Sequence, residues 1–482
     1  MKNVRNLLLL STTALMCLTL AACQVNDSSS VSSEETSSEG NSSEPFVMPT
    51  TVAGKVAYAA TLSRNELYSL AIEELDGKTM NGIGNSSRGK TAKEYFLAYL
   101  AGKKYNATTK AYDVDETIRA DFPDYKDDFD GQITWSQPKS NQIFSQIDAD
   151  IRSSNHTLSM TLIQDGSQIQ SKMLDTGFLL NYIPVEWAGD EAANGHPFAL
   201  QSLNKVFEFN NLGTKTFKNV WDFVEVDNAP LFMGVDSEPV GKNFLYMLTN
   251  EHYSNLMKTA FDAYATTPGA EDFSVDLAAM ETLAGELGLS AANAKYSLTW
   301  IKNWVEQYNQ QTDDGPICTQ LVTTSAADQN GLLVYSKLRA ITETATSSRN
   351  NVTVAAYQDD YVGIGGFMYK HYLQVLKTSP FPYASCAFIH FMTTTVDGFS
   401  AWGADIGGYC SNPVANKDHS TDGASTKNND YLGNPVEVPA INDRGYEWWT
   451  NQETGGQMVV EDPVYCAEVN YMVGSWIDSL RA

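Results

Sequence analysis

Between Thr79 and Gly177, short apolar runs alternate with amphipathic stretches of helical period. Thr79 to Ile83, Ile133 to Trp135 and Leu158 to Ile163 read as strands. Ser63 to Leu75, Thr91 to Ala101, Asn141 to Ile151 and Gln168 to Asp175 read as helices. Leu67, Leu70, Ala71 and Leu75 form one stripe, and Ile143, Phe144, Ile147 and Ile151 another, as a 3.6-residue period requires. Ser63 and Glu66 have capping-box spacing, and Gly177 supplies a C-cap. Strands and helices alternating at this spacing make βαβ units on a parallel sheet, so the fold class is α/β.

The alternation continues less cleanly. Lys205 to Phe209, Gly331 to Tyr335 and Leu373 to Leu376 are further strands. Lys242 to Tyr264, Asp276 to Gln310, Tyr383 to Met392 and Val459 to Leu480 are helical, with breaks near Gly269 and Gly285 to Gly288. Asp418 to Pro435 is polar and loop-like, and no internal repeat recurs at a fixed period. A chain of 482 residues, 43% of them hydrophobic, can build two domains or one two-lobed body. Its net charge of −26 argues against nucleic acid as a partner.

The N-terminus carries an address. Lys2 and Arg5 precede an apolar run, Leu7 to Leu20, that is shorter than the ~20 residues of a comfortable span. Small residues follow, as in a secretory signal peptide. Leu20-Ala21-Ala22-Cys23 resembles the lipobox of bacterial lipoproteins. That resemblance implies a lipidated Cys23 as mature N-terminus, holding the protein on the membrane and facing the periplasm or cell exterior. Gln24 to Pro45 is Ser-rich and acidic, too poor in apolar residues to fold, and reads as a leash. Cys318, Cys386, Cys410 and Cys466 are spaced too widely for a zinc motif. Cys410 with Cys466 is the candidate disulfide; buried free thiols are the alternative.

Gly84-Asn85-Ser86-Ser87-Arg88-Gly89-Lys90-Thr91 matches a phosphate-binding P-loop letter for letter, between a strand and a helix. An exported protein meets little nucleotide, and the same backbone amides hold any anionic or polar group. Trp135, Gln137, Gln164 and Asp165 also lie between a strand end and a helix. Ligands of open parallel sheets bind beyond the carboxyl ends of strands, so these residues should rim one cleft with Asn85, Ser86, Ser87 and Arg88. For Trp135 the competing role is core packing, and for Asp165 it is helix capping. There is no G-x-S-x-G and no H-E-x-x-H, and Lys126 spoils the calcium-loop pattern of Lys126 to Gly131. His371 stands between Tyr369 and Tyr372, a grouping that suits either ferric iron or sheet packing.

A longer resemblance emerges from Val362 to Pro413. Gly365-Gly366-Phe367-Met368-Tyr369, Thr378-Ser379-Pro380-Phe381-Pro382-Tyr383-Ala384, Ala387-Phe388-Ile389-His390-Phe391-Met392, then Gly398, Trp402, Gly407 and Tyr409 follow one another as in bacterial extracellular solute-binding proteins. Asp397-Gly398 stands where that family often has Glu-Gly. Lys205 to Asp222 resembles its W-x-D element, although Thr216 and Phe217 replace the usual Pro. Leu174 to Pro184 is similar to the segment that leaves the first lobe.

The resemblance implies a two-lobed, type II periplasmic-binding-protein fold. Each lobe would be a mixed, mainly parallel sheet flanked by helices, with the ligand at the hinge. The implied layout is a signal over 1–22, a lipidated linker over 23–53, a first lobe over 54–198, a second over 199–352, and a return to the first over 353–482. The implied role is a monomeric receptor that hands a small solute to the permease of an ABC importer, with no cofactor and no chemistry of its own. Asn85, Ser86, Ser87 and Arg88 favour an anion such as a phosphonate, a phosphate ester or a ferric complex. A sugar would instead stack on Trp135 or Trp402, with Tyr361 and Tyr369 as further contacts. The alternatives are an exported hydrolase and a surface adhesion or structural lipoprotein.

Overall fold

The computed structural model describes residues 47–138, 140–236, 238–323, 327–335, 351–402, 408–415, 444–450 and 456–481, to which every structural statement refers. The signal, Cys23, the Ser-rich leash, Gly407 and the polar stretch 418–435 lie outside them. The strands are β1 (Thr79–Gly84), β2 (Lys103–Asn106), β3 (Ala111–Val114), β4 (Gln132–Ser136), β5 (Leu158–Ile163), β6 (Leu179–Asn181) and β7 (Ala199–Asn210). They continue with β8 (Leu231–Phe232), β9 (Asn309–Gln310), β10 (Asn330–Val334), β11 (Val352–Val354), β12 (Gly366–Leu376), β13 (Gly408–Cys410) and β14 (Met458–Val460). The longer helices are α1 (Val52–Ala59), α2 (Arg64–Leu75), α3 (Gly89–Leu100), α4 (Ser140–Arg152), α5 (Pro239–Leu248) and α6 (Glu251–Tyr264). After them come α7 (Ser274–Glu286), α8 (Ala294–Gln307), α9 (Asp314–Thr323), α10 (Pro382–Thr394) and α11 (Pro463–Ser479). Among the described residues no helix is long and apolar enough to cross a membrane.

One mixed sheet runs β4-β1-β5-β12-β7-β10-β8-β9, with β6 and β14 on β12, and β11 and β13 on β7. Two long antiparallel strands, β7 and β12, pass through its middle, from Gly366 beside Val206 to Tyr372 beside Ala199. One half of the sheet is β4, β1 and β5, parallel to one another. The other half is β10, β8 and β9, also mutually parallel. The sheet is therefore mixed, because the two strands that cross it run against each other and against their outer neighbours.

The first half-sheet is covered on both faces. Met80, Ile133, Trp135, Met160 and Leu162 pack with α1, α2, α3 and α10 in one core. Ile83 and Ile163 pack with Ile143 and Ile147 of α4 and with Ile169 and Met173 in another. The expected capping box of α2 is present, with Ser63 and Glu66 bonded reciprocally. The second half is built around aromatic rings. Phe207 of β7 lies 4.7 Å from Phe223 and within 6.0 Å of both Trp300 and Trp304, which stack on each other at 5.0 Å. Each such ring contributes about 1.5–3 kcal/mol by burial. Trp221 is buried and donates Nε1–H to Met257 O at 3.1 Å, while Asp222 closes a capping box with Asn219.

Several local expectations change. The stretch 242–264 is two helices, α5 and α6, because Asn250 caps a new start by accepting from His252 N–H. The helix expected at 168–175 is a short α-turn, Gly166–Gln168, followed by π-helix over Ile169–Leu174. The expected helix over 459–480 opens as strand β14 and turns helical at Pro463. Cys410 and Cys466 form no disulfide: they are buried free thiols, like Cys386.

Candidate functional site

Strand directions locate the site. β5 runs antiparallel to β12, whereas β14 runs parallel to it. β10 runs antiparallel to β7, hence parallel to β12, and so do β8 and β9. The carboxyl ends of β1, β4 and β5 therefore face those of β8, β9, β10 and β14 across a cleft floored by β7 and β12. This is where an open α/β sheet binds ligands. The floor strands are buried along their whole length yet polar in the middle, at Gln201, Ser202, Asn204, Lys205, Lys370 and His371.

From the first half comes the loop between β1 and α3. Asn85 N–H is donated to Leu162 O, and Asn85 Oδ1 accepts Gln164 N–H, each at 3.0 Å, so the loop is tied to the end of β5. Gln137 Nε2 donates to Asn85 O at 2.9 Å, which ties in the end of β4 as well. Ser86 is buried; its hydroxyl accepts Arg88 N–H at 3.3 Å and its carbonyl accepts Trp135 Nε1–H at 3.0 Å. Ser87 is exposed, and Arg88 is half-buried with Nη1 donating to Ala401 O at 2.7 Å. The amino end of α3 carries no side-chain cap, which leaves its dipole facing the cleft.

Trp135 explains the glycines of the P-loop match. A Cβ on Gly82 or Gly89 would lie 2.4 Å from its indole, and one on Gly84 would lie 2.3 Å from Leu162 O and 3.0 Å from the ring. The glycines make room for an indole, and Trp135 supports the loop from beneath. Trp402 is likewise buried in the first core, 6.2 Å from Phe399. Tyr361 is buried in the second core and donates its hydroxyl to Ile364 O at 2.7 Å. The three rings are thus packed among side chains, with no face offered for stacking. Asp165 is buried as an N-cap, accepting from Gln168 N–H at 3.2 Å and Ser167 Oγ at 3.0 Å, and burial holds its carboxyl above the ordinary range.

Tyr369 and His371 share the face of β12 toward Gln164, with ring centroids 6.0 Å apart. His371 Nε2 lies 2.7 Å from Gln164 Nε2, and Nδ1 lies 3.2 Å from Gln201 Nε2. Burial, then the Arg88 charge, pushes His371 down to about 3, so the imidazole is neutral. A neutral ring donates from one nitrogen, so one glutamine presents its amide oxygen there. Gln201, whose Oε1 otherwise has no partner, is placed to do so. Tyr372, by contrast, donates its hydroxyl to Glu461 at 2.7 Å, and no group of three His, Cys, Asp or Glu among the described residues is placed to hold a metal ion.

The second half contributes residues that periodicity did not single out. Lys205 on β7 is buried between Glu238, at the start of α5, and Asp314, at the start of α9, with Nζ–O distances of 2.7 and 3.1 Å. Burial pulls the ammonium down, but the facing Asp314 and Glu238 carboxylates outweigh it, and Lys205 is raised. Asn243 of α5 donates to Glu461 at 2.7 Å and reaches Asp165 at 3.4 Å. The sequence signal for this group was present but unread: polar residues inside an otherwise apolar strand.

No protein-family model matches the chain, and comparison with curated proteins finds no relative. Among solved structures, the chain is similar to the ferric binding protein from Campylobacter jejuni, with a TM-score of 0.47 and 10% identity over 83% of this chain and 99% of that one. It is similar to a Trichodesmium protein in complex with iron and citrate, with a TM-score of 0.46 and 9% identity over 83% and 99%. An ABC transporter substrate-binding protein from Bradyrhizobium japonicum gives a TM-score of 0.46 and 9% identity over 84% and 99%.

Proposed function

We propose that the chain is an extracytoplasmic solute-binding receptor, anchored through a lipid on Cys23, that delivers a small ligand to an ABC permease. The observation that supports this most is the pair of half-sheets whose carboxyl ends face each other across two crossing strands. Such a cleft can close on a ligand by rotation about β7 and β12. On this reading the first lobe is 54–198 with the chain around α10, and the second is 199–352 with α11. The ligand contacts are Asn85, Ser86, Ser87, Arg88, Gln137, Gln164, Asp165 and Tyr369, joined by His371.

An anionic solute is favoured over a sugar. Arg88 and the uncapped start of α3 suit an anion. Burial of Trp135 and Trp402 removes the stacking surfaces a sugar would use. The test is a thermal-shift screen of sugars, phosphonates, phosphate esters, polyamines and ferric citrate, on wild type and Arg88→Ala. A bound ligand at 100 times its Kd adds about 2.7 kcal/mol of stability. The expected result is a stabilising anion whose effect vanishes in Arg88→Ala. Stabilisation by sugars alone, or equal anion binding by both proteins, would defeat the anion reading.

A further inference from the structure

We infer that Glu461 and α11 form a latch across the cleft, holding the two halves together until the shared amide of Asn243 lets go of Asp165. The inference rests on the receptor reading for its purpose, and for its geometry on residues that share only Asp165 with the proposed ligand contacts.

β12 has one edge that serves both halves. Near its start this edge pairs with β14, as far as Met368 beside Val460. From Tyr372 onward it pairs with β5. The Glu461 carboxylate fills the interval between them. Its Oε2 accepts Lys370 N–H at 3.2 Å and the Tyr372 hydroxyl at 2.7 Å, and its Oε1 accepts Asn243 Nδ2–H at 2.7 Å. The Asn243 nitrogen also reaches Asp165 Oδ1 at 3.4 Å. Asn243, Glu461 and Asp165 are 1%, 2% and 3% exposed, so these bonds are largely sheltered from bulk solvent. One buried amide thus joins α5 of the second half to the N-cap after β5 of the first.

The helix above is seated on both halves. α11 starts at Pro463, with Asp462 accepting Val464 and Tyr465 N–H, and packs on both α5 and the turn after β5. Two glycines allow the approach. A Cβ on Gly166 would lie 3.0 Å from Pro463 and 3.1 Å from the Glu461 carboxyl, and one on Gly474 would lie 2.5 Å from the Tyr246 hydroxyl. Between the helix and the two halves remains a chamber of about 340 Å³, lined by Asp165, Gln168, Lys172, Lys242, Asn243 and Asp478 among others. The bonds of Glu461 to Asn243, at 2.7 Å, and of Lys370 to Glu461 stay within one half and its floor strand; two bonds reach the first half, Tyr372, on the part of β12 that pairs with β5, to Glu461 at 2.7 Å, and Asn243 to Asp165, the longest and weakest. Opening therefore breaks the weak Asn243–Asp165 bond and the glycine-mediated seat first, with the Tyr372–Glu461 bond as the stronger second tie.

The test is hydrogen exchange on the full chain, without any solute, for wild type, Asn243→Ala and Gly474→Leu. Release of the latch should speed exchange in 164–176 and 463–479 by about tenfold, what one lost hydrogen bond permits, and leave 294–307 unchanged. Asn243→Gln, which keeps an amide, should fall between. Unchanged rates in 164–176 for both variants would overturn the latch, and so would an equal acceleration in 294–307, which is general destabilisation. A solute screen that finds nothing would count against the receptor reading and leave this result standing.

Discussion

Arg88, on the loop after β1, and Lys205, in the middle of β7, are two cations that the structure treats oppositely. Lys205 is enclosed by Glu238 and Asp314 and is 1% exposed, so its charge is spent inside the protein. Arg88 is half-buried on a loop and gives a hydrogen bond to the neutral carbonyl of Ala401. The cation inside the carboxylate pair belongs to stability, whereas the one on the loop belongs to binding only on the receptor reading proposed above.

The sharpest way to break that contrast is substitution at both positions. Lys205→Met leaves two buried carboxylates without their counter-ion and should cost about 3–5 kcal/mol in urea unfolding. Arg88→Ala should cost about 1 kcal/mol or less, as exposed substitutions do. Equal losses at the two positions would erase the distinction. A second cut runs through the pH axis. Burial pushes Glu461 up to about 7 from an ordinary 4.5, against the pull of Tyr372, Asn243 and Lys370. Asp165, Asp462, Tyr246 and Cys466 surround the same site. The folded protein then holds a proton that the unfolded chain releases. Its stabilising contribution is full below the ordinary carboxyl range and is lost as pH rises to about 7. Glu461→Gln should flatten that decline by on the order of 3 kcal/mol. An identical stability–pH curve would show that the proton is held elsewhere.

Smaller effects sharpen the roles of the neighbours. Gly89→Ala drives a methyl into the Trp135 indole and should destabilise by about 1–3 kcal/mol, read as a lowered Tm. If Trp135→Ala fails to relieve that loss in the double variant, the loop is not resting on the indole. Glu208 is fully buried on β7, and neither carboxyl oxygen has a partner. Burial, then the Asp314 charge, holds it well above the ordinary range, hence neutral. Glu208→Gln should change stability by less than about 1 kcal/mol in urea unfolding. A loss as large as that at Lys205 would mean Glu208 belongs to the same charge network.

What could be read from the sequence differs between regions in the same way. β1, β4, β5, α2 and α4 were legible because their apolar residues recur at the period of their element. β7 and β12 were read as Lys205–Phe209 and Leu373–Leu376 and are in fact more than twice as long. The missing parts contain Gln201, Ser202, Asn204, Tyr369, Lys370 and His371, which interrupt the apolar pattern that marks a buried strand. Those interruptions lie in the two crossing strands, so the reading failed where the sequence departs from the local rule for a buried strand. The hairpin of β2 and β3 was missed because its strands are short, polar and exposed. The loop between β1 and α3 was singled out by its motif, although its glycines serve an indole. The second half's Lys205, Glu238 and Asp314 are scattered across more than a hundred residues and meet only through the topology.

The crossing strands also set a timetable. The first core closes only when α10 arrives: Tyr68 of α2 bonds His390 across a separation of 322 residues. A chain emerging from a translocation channel amino-end first would hold its first half unfinished until most of its length had passed. Contacts so distant in sequence form slowly. Were the chain exported, as proposed above, that delay would be a convenience, since such a chain is threaded before it folds.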